Sequence, residues 1–256
     1  MKTDEIISFF YRHIVPIVFV FQKDEEKYEA QISSFVISIK GKWFLVTAGH
    51  CLLQIDENIK NGYKFIKCGL VDSLGTNPKD HFYVHFTYQE SKKLIIDESG
   101  LDIGLILLSD YYKELLQFND VVALSEDCWE SQPENPDSYA LVGIPDLLIG
   151  KDKKGFEFHP AIFGVNKCES KPEVFPNVET PRFYGQINLE GKIDDIGGVS
   201  GSPIFAFKID NQGKLRYWLI AVECSWLNES QYISGCYIKD VANSIGKILE
   251  KAMFFT

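Results

Sequence analysis

Thr47-Ala48-Gly49-His50-Cys51, then Leu101-Asp102-Ile103-Gly104-Leu105, then Gly197-Gly198-Val199-Ser200-Gly201-Ser202-Pro203: these segments, in this order, decide how the chain is read. They offer a base, a carboxylate and a hydroxyl nucleophile, as His50, Asp102 and Ser200. A serine hydroxyl is a weak nucleophile at neutral pH and needs a base within hydrogen-bond reach. His50 suits that role because an unperturbed imidazole titrates near ~6.5. Its second ring nitrogen must be held in one tautomer, and a buried carboxylate such as Asp102 would do this and stabilise the imidazolium. Taken singly, the segments read as a strand end, a polar residue opening a buried strand, and a Gly/Ser turn. Their conjunction, at gaps of about fifty and about a hundred residues, is what points to chemistry.

The order His, Asp, Ser and the three motifs resemble the trypsin/chymotrypsin-like serine protease family rather than the subtilisin or α/β-hydrolase orders. The last motif is similar to the Gly-x-Ser-Gly-Ser-Pro of the family's intracellular bacterial branch. The resemblance implies an all-β fold of two six-stranded antiparallel β-barrels closed by a C-terminal helix. Residues 1–115 would carry His50 and Asp102, and residues 116–256 would carry Ser200 and the helix. The implied activity is that of a serine endopeptidase working through an acyl-enzyme on a protein or peptide substrate, with no metal or organic cofactor. The backbone N–H groups of Gly198 and Ser200 would form the oxyanion hole, and a glycine at 198 allows unusual dihedrals there. Ser202 is the competing hydroxyl, but it stands where the family carries a small residue, and no Gly-x-Ser-x-Gly elbow exists around it. Two other readings are a protease fold that binds peptide without turnover, and an effector silent until a protein activator binds.

The chain departs from the family at Val199. Secreted, zymogen-derived members carry an aspartate before the catalytic serine, and a newly cut N-terminus pairs with it. Val199 cannot form that ion pair, and the chain does not start with an Ile-Val-Gly-Gly type of sequence. N-terminal cleavage is therefore not the expected switch; the hole is either preformed by packing or ordered by a partner or ligand. Asp194 and Asp195 fall near the base of the family's primary specificity pocket, where an acid would select Arg or Lys. They read equally as a solvated turn before Gly197-Gly198. Glu223, on a strand beside the expected cleft, could serve the same purpose, and the peptide would add as an extra strand along 222–226.

Composition sets the frame. The 256 residues are 45% hydrophobic and 24% charged, ordinary for a globular chain with room for two small β-domains. A net charge of −10 argues against a nucleic-acid partner, whose phosphates call for a cationic surface. Met1 to Tyr11 carries Asp4 and Glu5 where a secretory signal has positive charge, and Ile14 to Phe21 is broken by Pro16 and too short to span a bilayer. Six cysteines form no CxxC pair, which argues against a zinc site. Cys51 lacks the partner that secreted relatives supply about sixteen residues earlier. These features predict a cytoplasmic protein with reduced thiols and no membrane partner. His81 and His85 are four apart but would merely share a face of a strand.

Alternation and turn residues predict strands over 17–21, 32–39, 43–47, 64–71, 82–89, 101–108, 139–143, 204–208 and 215–222. Asp4 to Arg12 and Val241 to Phe254 read as helices. Gln54 to Lys64 reads as a polar stretch with an Asn61-Gly62 turn, Tyr111 to Cys128 as a crossing between barrels, and 148–181 as mixed strand and loop.

Overall fold

The computed structural model describes residues 3–72, 74, 83–152, 155–189, 191 and 193–253. His81 lies outside them. Ile17-Val18-Phe19-Val20-Phe21 is β-branched or aromatic at every position, which favours an extended chain. It forms β1 (Ile17–Lys23), whose first five residues are all buried. β1 pairs antiparallel with β2 (Glu26–Ile32) and β5 (Lys64–Val71), and β5 pairs with β6 (Tyr83–His85). A second sheet runs β3 (Phe35–Ile39), β4 (Lys42–Thr47), β8 (Leu101–Leu107), β7 (Lys93–Glu98).

The two sheets share one chain path. Only Ser33 and Ser34 separate β2 from β3, and Ile14 bridges Phe35. Val15 N–H donates to Ser34 O at 2.9 Å, Val36 N–H donates to His13 O at 3.0 Å, and the Ser34 hydroxyl donates to Val15 O. Where a first six-stranded barrel was expected, the described residues of the N-terminal half form two four-stranded sheets. β6 ends at His85, and a 3-10 turn at Tyr88–Glu90 leads into β7, so no ladder joins β6 to β7.

The second half does close. β9 (Ser138–Gly143), β12 (Ala161–Lys167), β13 (Arg182–Ile187), β14 (Pro203–Ile209), β15 (Leu215–Leu227) and β16 (Tyr232–Tyr237) form a barrel in the order β12-β13-β16-β15-β14-β9. β10 (Ile149–Asp152) and β11 (Gly155–Phe158) form a separate hairpin.

Helix is more abundant than expected. The polar stretch after His50 is α2 (Gly49–Lys60), and the crossing contains α3 (Asp110–Phe118) and α4 (Asp127–Glu130). Among the described residues no helix is long and apolar enough to cross a membrane. The terminal helices tie the halves together. From α1 (Thr3–Tyr11), Phe10 packs on Phe205, Phe207 and Tyr217 of the C-terminal barrel at 5.0 to 5.5 Å between ring centres. From α5 (Ile238–Met253), Ile245 shares a core with Ile39 of β3, and Glu250 meets Lys40 at 3.2 Å.

His13 sits in this seam, 2% exposed. Its Nδ1–H donates to Val122 O at 2.6 Å, and Nε2 has no partner. Burial lowers its pKa to about 4, and Arg12 adds to the effect. Below about pH 6.5 the unfolded chain takes up a proton that the folded one refuses, so stability falls as pH drops to about 4, by about 3 kcal/mol. Thermal unfolding between pH 7 and 4 should show this slope, and His13→Phe, beside Phe9 and Phe10, should flatten it; an equal slope in both proteins would assign the acid sensitivity elsewhere.

Candidate active site

His50 is the second residue of α2, and Ala48 at the cap position has no side chain to offer the helix. The missing acceptor comes from across the sheet. Asp102, 6% exposed on β8, accepts the His50 backbone N–H with Oδ1 at 2.8 Å and the His50 ring Nδ1–H with Oδ2 at 2.6 Å. A carboxylate at a helix N-terminus is favourable on both hydrogen-bonding and dipole grounds. The same contact fixes the tautomer with Nε2 unprotonated in the neutral ring. Asp102 N–H in turn donates to Cys236 Sγ at 3.2 Å. The approach needs Gly49, because a Cβ there would lie 2.9 Å from Ile96 O and 3.0 Å from Asp102 Oδ1.

Asp102 raises the His50 pKa to about 10, and the Cys51 thiol adds to the shift. Cys51 Sγ lies 3.5 Å from His50 Nε2 and 3.8 Å from Ser200 O, so the third segment meets the first at this sulfur. All six cysteines are free.

Ser200 sits on a tight loop before β14. Val199 N–H donates to Ile196 O, Ser202 N–H to Val199 O, Gly201 N–H to Glu223 O and Glu223 N–H to Ser202 O. Gly201, at φ 97°, presses the loop on the other half: a Cβ there would stand 2.4 Å from Ser33 O and 2.2 Å from Thr47 Oγ1. Val199 is buried in the barrel core with Leu141 and Ile196, so packing holds the loop at this position. Ser202 Oγ is buried without a partner against Gly143.

Gly198 has φ 91°. The peptide before it is held at its carbonyl end, where Gly197 O accepts Asp146 N–H at 2.8 Å; the Gly198 carbonyl accepts the Ser33 hydroxyl at 2.8 Å. The N–H groups of Gly198 and Ser200 donate to no acceptor among the described residues. Ser200 Oγ makes no hydrogen bond to His50 Nε2, whose neighbour is the Cys51 sulfur.

Among the expected pocket acids, Asp194 is exposed, while Asp195 Oδ1 accepts Trp226 Nε1–H at 2.6 Å and Gly197 N–H at 3.0 Å. Glu223 on β15 is fully buried with neither carboxyl oxygen hydrogen-bonded, and burial pushes its pKa up to about 8. Asp146, which sequence reasoning passed over, abuts Gly198 and accepts Gln31 Nε2–H at 3.2 Å; Ile144-Pro145 just before it was the available signal. Asp146, Gln31, Gln54, Phe156 and Cys51 line a cavity of about 370 Å³ beside the site. No cluster of three or more metal-binding side chains exists among the described residues.

No protein-family model and no curated protein matches this chain. Among solved structures it is similar to a thermostable serine protease, AL20, from an extremophilic microorganism, at 14% identity over 89% of this chain and 91% of that one, with a TM-score of 0.47. It is also similar to the protease Anisep from Arthrobacter nicotinovorans, at 16% identity over 88% and 90% of the two chains, again at 0.47. A third similarity is to the catalytically active tobacco etch virus protease complexed with product, at 12% identity over 86% and 72%, with a TM-score of 0.40. At TM-scores below 0.5 the site is read from its own geometry.

Asp102→Asn should therefore remove two effects together. The His50 midpoint, followed by NMR, should fall from about 10 toward ~6.5. Loss of the carboxylate at α2 should lower stability by about 1 kcal/mol in denaturant unfolding. An unmoved His50 midpoint would mean that the two side chains do not pair in solution.

Proposed function

We propose that this chain is a serine peptidase in which Ser200 attacks the scissile carbonyl, His50 takes its proton and Asp102 orients the imidazole. The observation that carries this reading is the pair of hydrogen bonds that His50 donates to Asp102, beside a serine loop with two free N–H groups. In the first half-reaction His50 Nε2 accepts the Ser200 proton, the tetrahedral oxyanion takes N–H bonds from Gly198 and Ser200, and the amine leaves with the proton from His50. Water then repeats the sequence on the acyl-enzyme. Every step uses side chains and backbone groups of this chain.

The substrate peptide would lie along β15. Beyond Val222 that strand pairs with β16 on one side, and past the Glu223–Ser202 contact its other edge is available for an added strand. Asp195 is held through Oδ1 by Trp226 and Gly197, which leaves Oδ2 to meet a substrate cation. The burial of Val199 favours a hole ordered by packing over one ordered by a new N-terminus. A protein lengthened at its N-terminus should keep wild-type turnover, and loss of turnover on extension alone would overturn that point.

A fluorophosphonate probe tests the central reading. Wild type should be labelled and Ser200→Ala should not. In peptide hydrolysis Ser200→Ala should lose on the order of 10⁶ in turnover. Gly198→Ala, strained at its positive φ and against Asp146, should lose about 10² to 10³. Equal labelling of wild type and Ser200→Ala would show that another side chain is the nucleophile. The missing Ser200–His50 bond favours one alternative, a protease fold that binds peptide without cutting it; a folded wild type that retains peptide but resists the probe would establish that reading instead.

A further inference from the structure

Two acids are buried beside His50, and they differ in partners. Both oxygens of Asp102 are hydrogen-bonded, whereas neither oxygen of Glu223 is. Glu223 is fully buried on β15, and its backbone is bonded in both directions to the Ser200 loop. The groups that face its carboxyl are the His50 ring from α2, Asp102 from β8, the Ser200 hydroxyl from the loop, and the Ser225 N–H and the Cys224 thiol on its own strand. Burial raises its pKa to about 8; His50 and the Ser200 hydroxyl pull it down, and Asp102 pushes it up. A buried polar group without a partner is costly, so each protonation state of Glu223 will take the bond within its reach.

The two states act on Ser200 in opposite ways. A neutral carboxyl donates to Ser200 Oγ and leaves the serine's own proton for His50 Nε2. A carboxylate accepts the Ser200 O–H and turns that proton away from the base. We propose that Glu223 is a positioning residue for Ser200, permitting the Ser200–His50 hydrogen bond while it is protonated and breaking it when it ionises. The proposal rests on the reading of Ser200 as the nucleophile and adds to it a resting state built from this chain's own side chain.

The experiment is the rate of fluorophosphonate labelling from pH 6 to 10 for wild type and Glu223→Gln, with Ser200→Ala as the blank. With a base that titrates near 10, labelling should rise with pH in both. In wild type the rise should stop near pH 8, because each gain in neutral His50 is offset by a loss of neutral Glu223. In Glu223→Gln the rise should continue, so the increase between pH 7 and 9 should be about tenfold larger than in wild type. Glu223→Met, of similar volume and without a titrating group, gives the same comparison if the Gln variant is unstable. Superimposed profiles would overturn the proposal. If neither protein is labelled above the blank, the nucleophile reading falls, and the His50 midpoint by NMR decides on Glu223. A midpoint lower in Glu223→Gln than in wild type supports its coupling to the site, and an unchanged midpoint overturns it.

Discussion

One carboxylate is shared between a helix and an imidazole. Asp102 gives one oxygen to the backbone of α2 and the other to the ring that α2 carries. Ala48 cannot cap the helix, and its first turn contains no acid, so the helix start depends on a side chain from β8. The arrangement removes freedom from His50 at two points, its main chain and its ring. It also sets the charge, since the pairing favours imidazolium well above the usual range for histidine. Gly49 permits this approach, because any side chain there would collide with the acid or with β7.

His50 and Asp102 belong to the N-terminal half, while Ser200 belongs to the loop that enters the C-terminal barrel. Their distance is therefore set by how the two halves meet. At the contact Gly201 lies against Thr47 and Ser33, and the Ser33 hydroxyl reaches the Gly198 carbonyl. Thr47 Oγ1–H also donates to Ser33 O at 2.8 Å, so the end of the strand leading to His50 and the bend that touches the serine loop are joined. Farther out, each terminal helix lies across the half it does not belong to, α1 on the barrel and α5 on β3. Neither half can shift without breaking an aromatic cluster or an apolar seam.

Much of this was legible in local sequence. Alternation and β-branched runs marked β1, β4, β5 and β8. The three candidate segments stood out in the sequence by residue type, and the structure joins two of them through the His50–Asp102 hydrogen bonds. What escaped depends on distance in sequence or on competition between signals. In α2, Leu52, Ile55 and Ile59 carry a helical spacing, but surrounding polar residues and the Asn61-Gly62 turn masked it. Barrel closure was not legible because it is decided by pairings between remote strands. Glu223 shows the same limit: nothing near it in sequence says that both its oxygens lack partners.

The orientation of the Gly198 N–H follows from a bond made at the other end of its peptide group. A trans peptide is planar, with its C=O and N–H pointing opposite ways. The Gly197 carbonyl is fixed by the Asp146 N–H, so the Gly198 N–H must point away from Asp146. The next carbonyl, that of Gly198, is fixed by Ser33 from the other half. Between them Gly198 takes φ 91°, a conformation that glycine adopts without the steric penalty other residues pay. Val199 is then buried in the barrel core. Two hydrogen bonds, one left-handed glycine and one buried valine thus determine the local backbone without any charge at position 199.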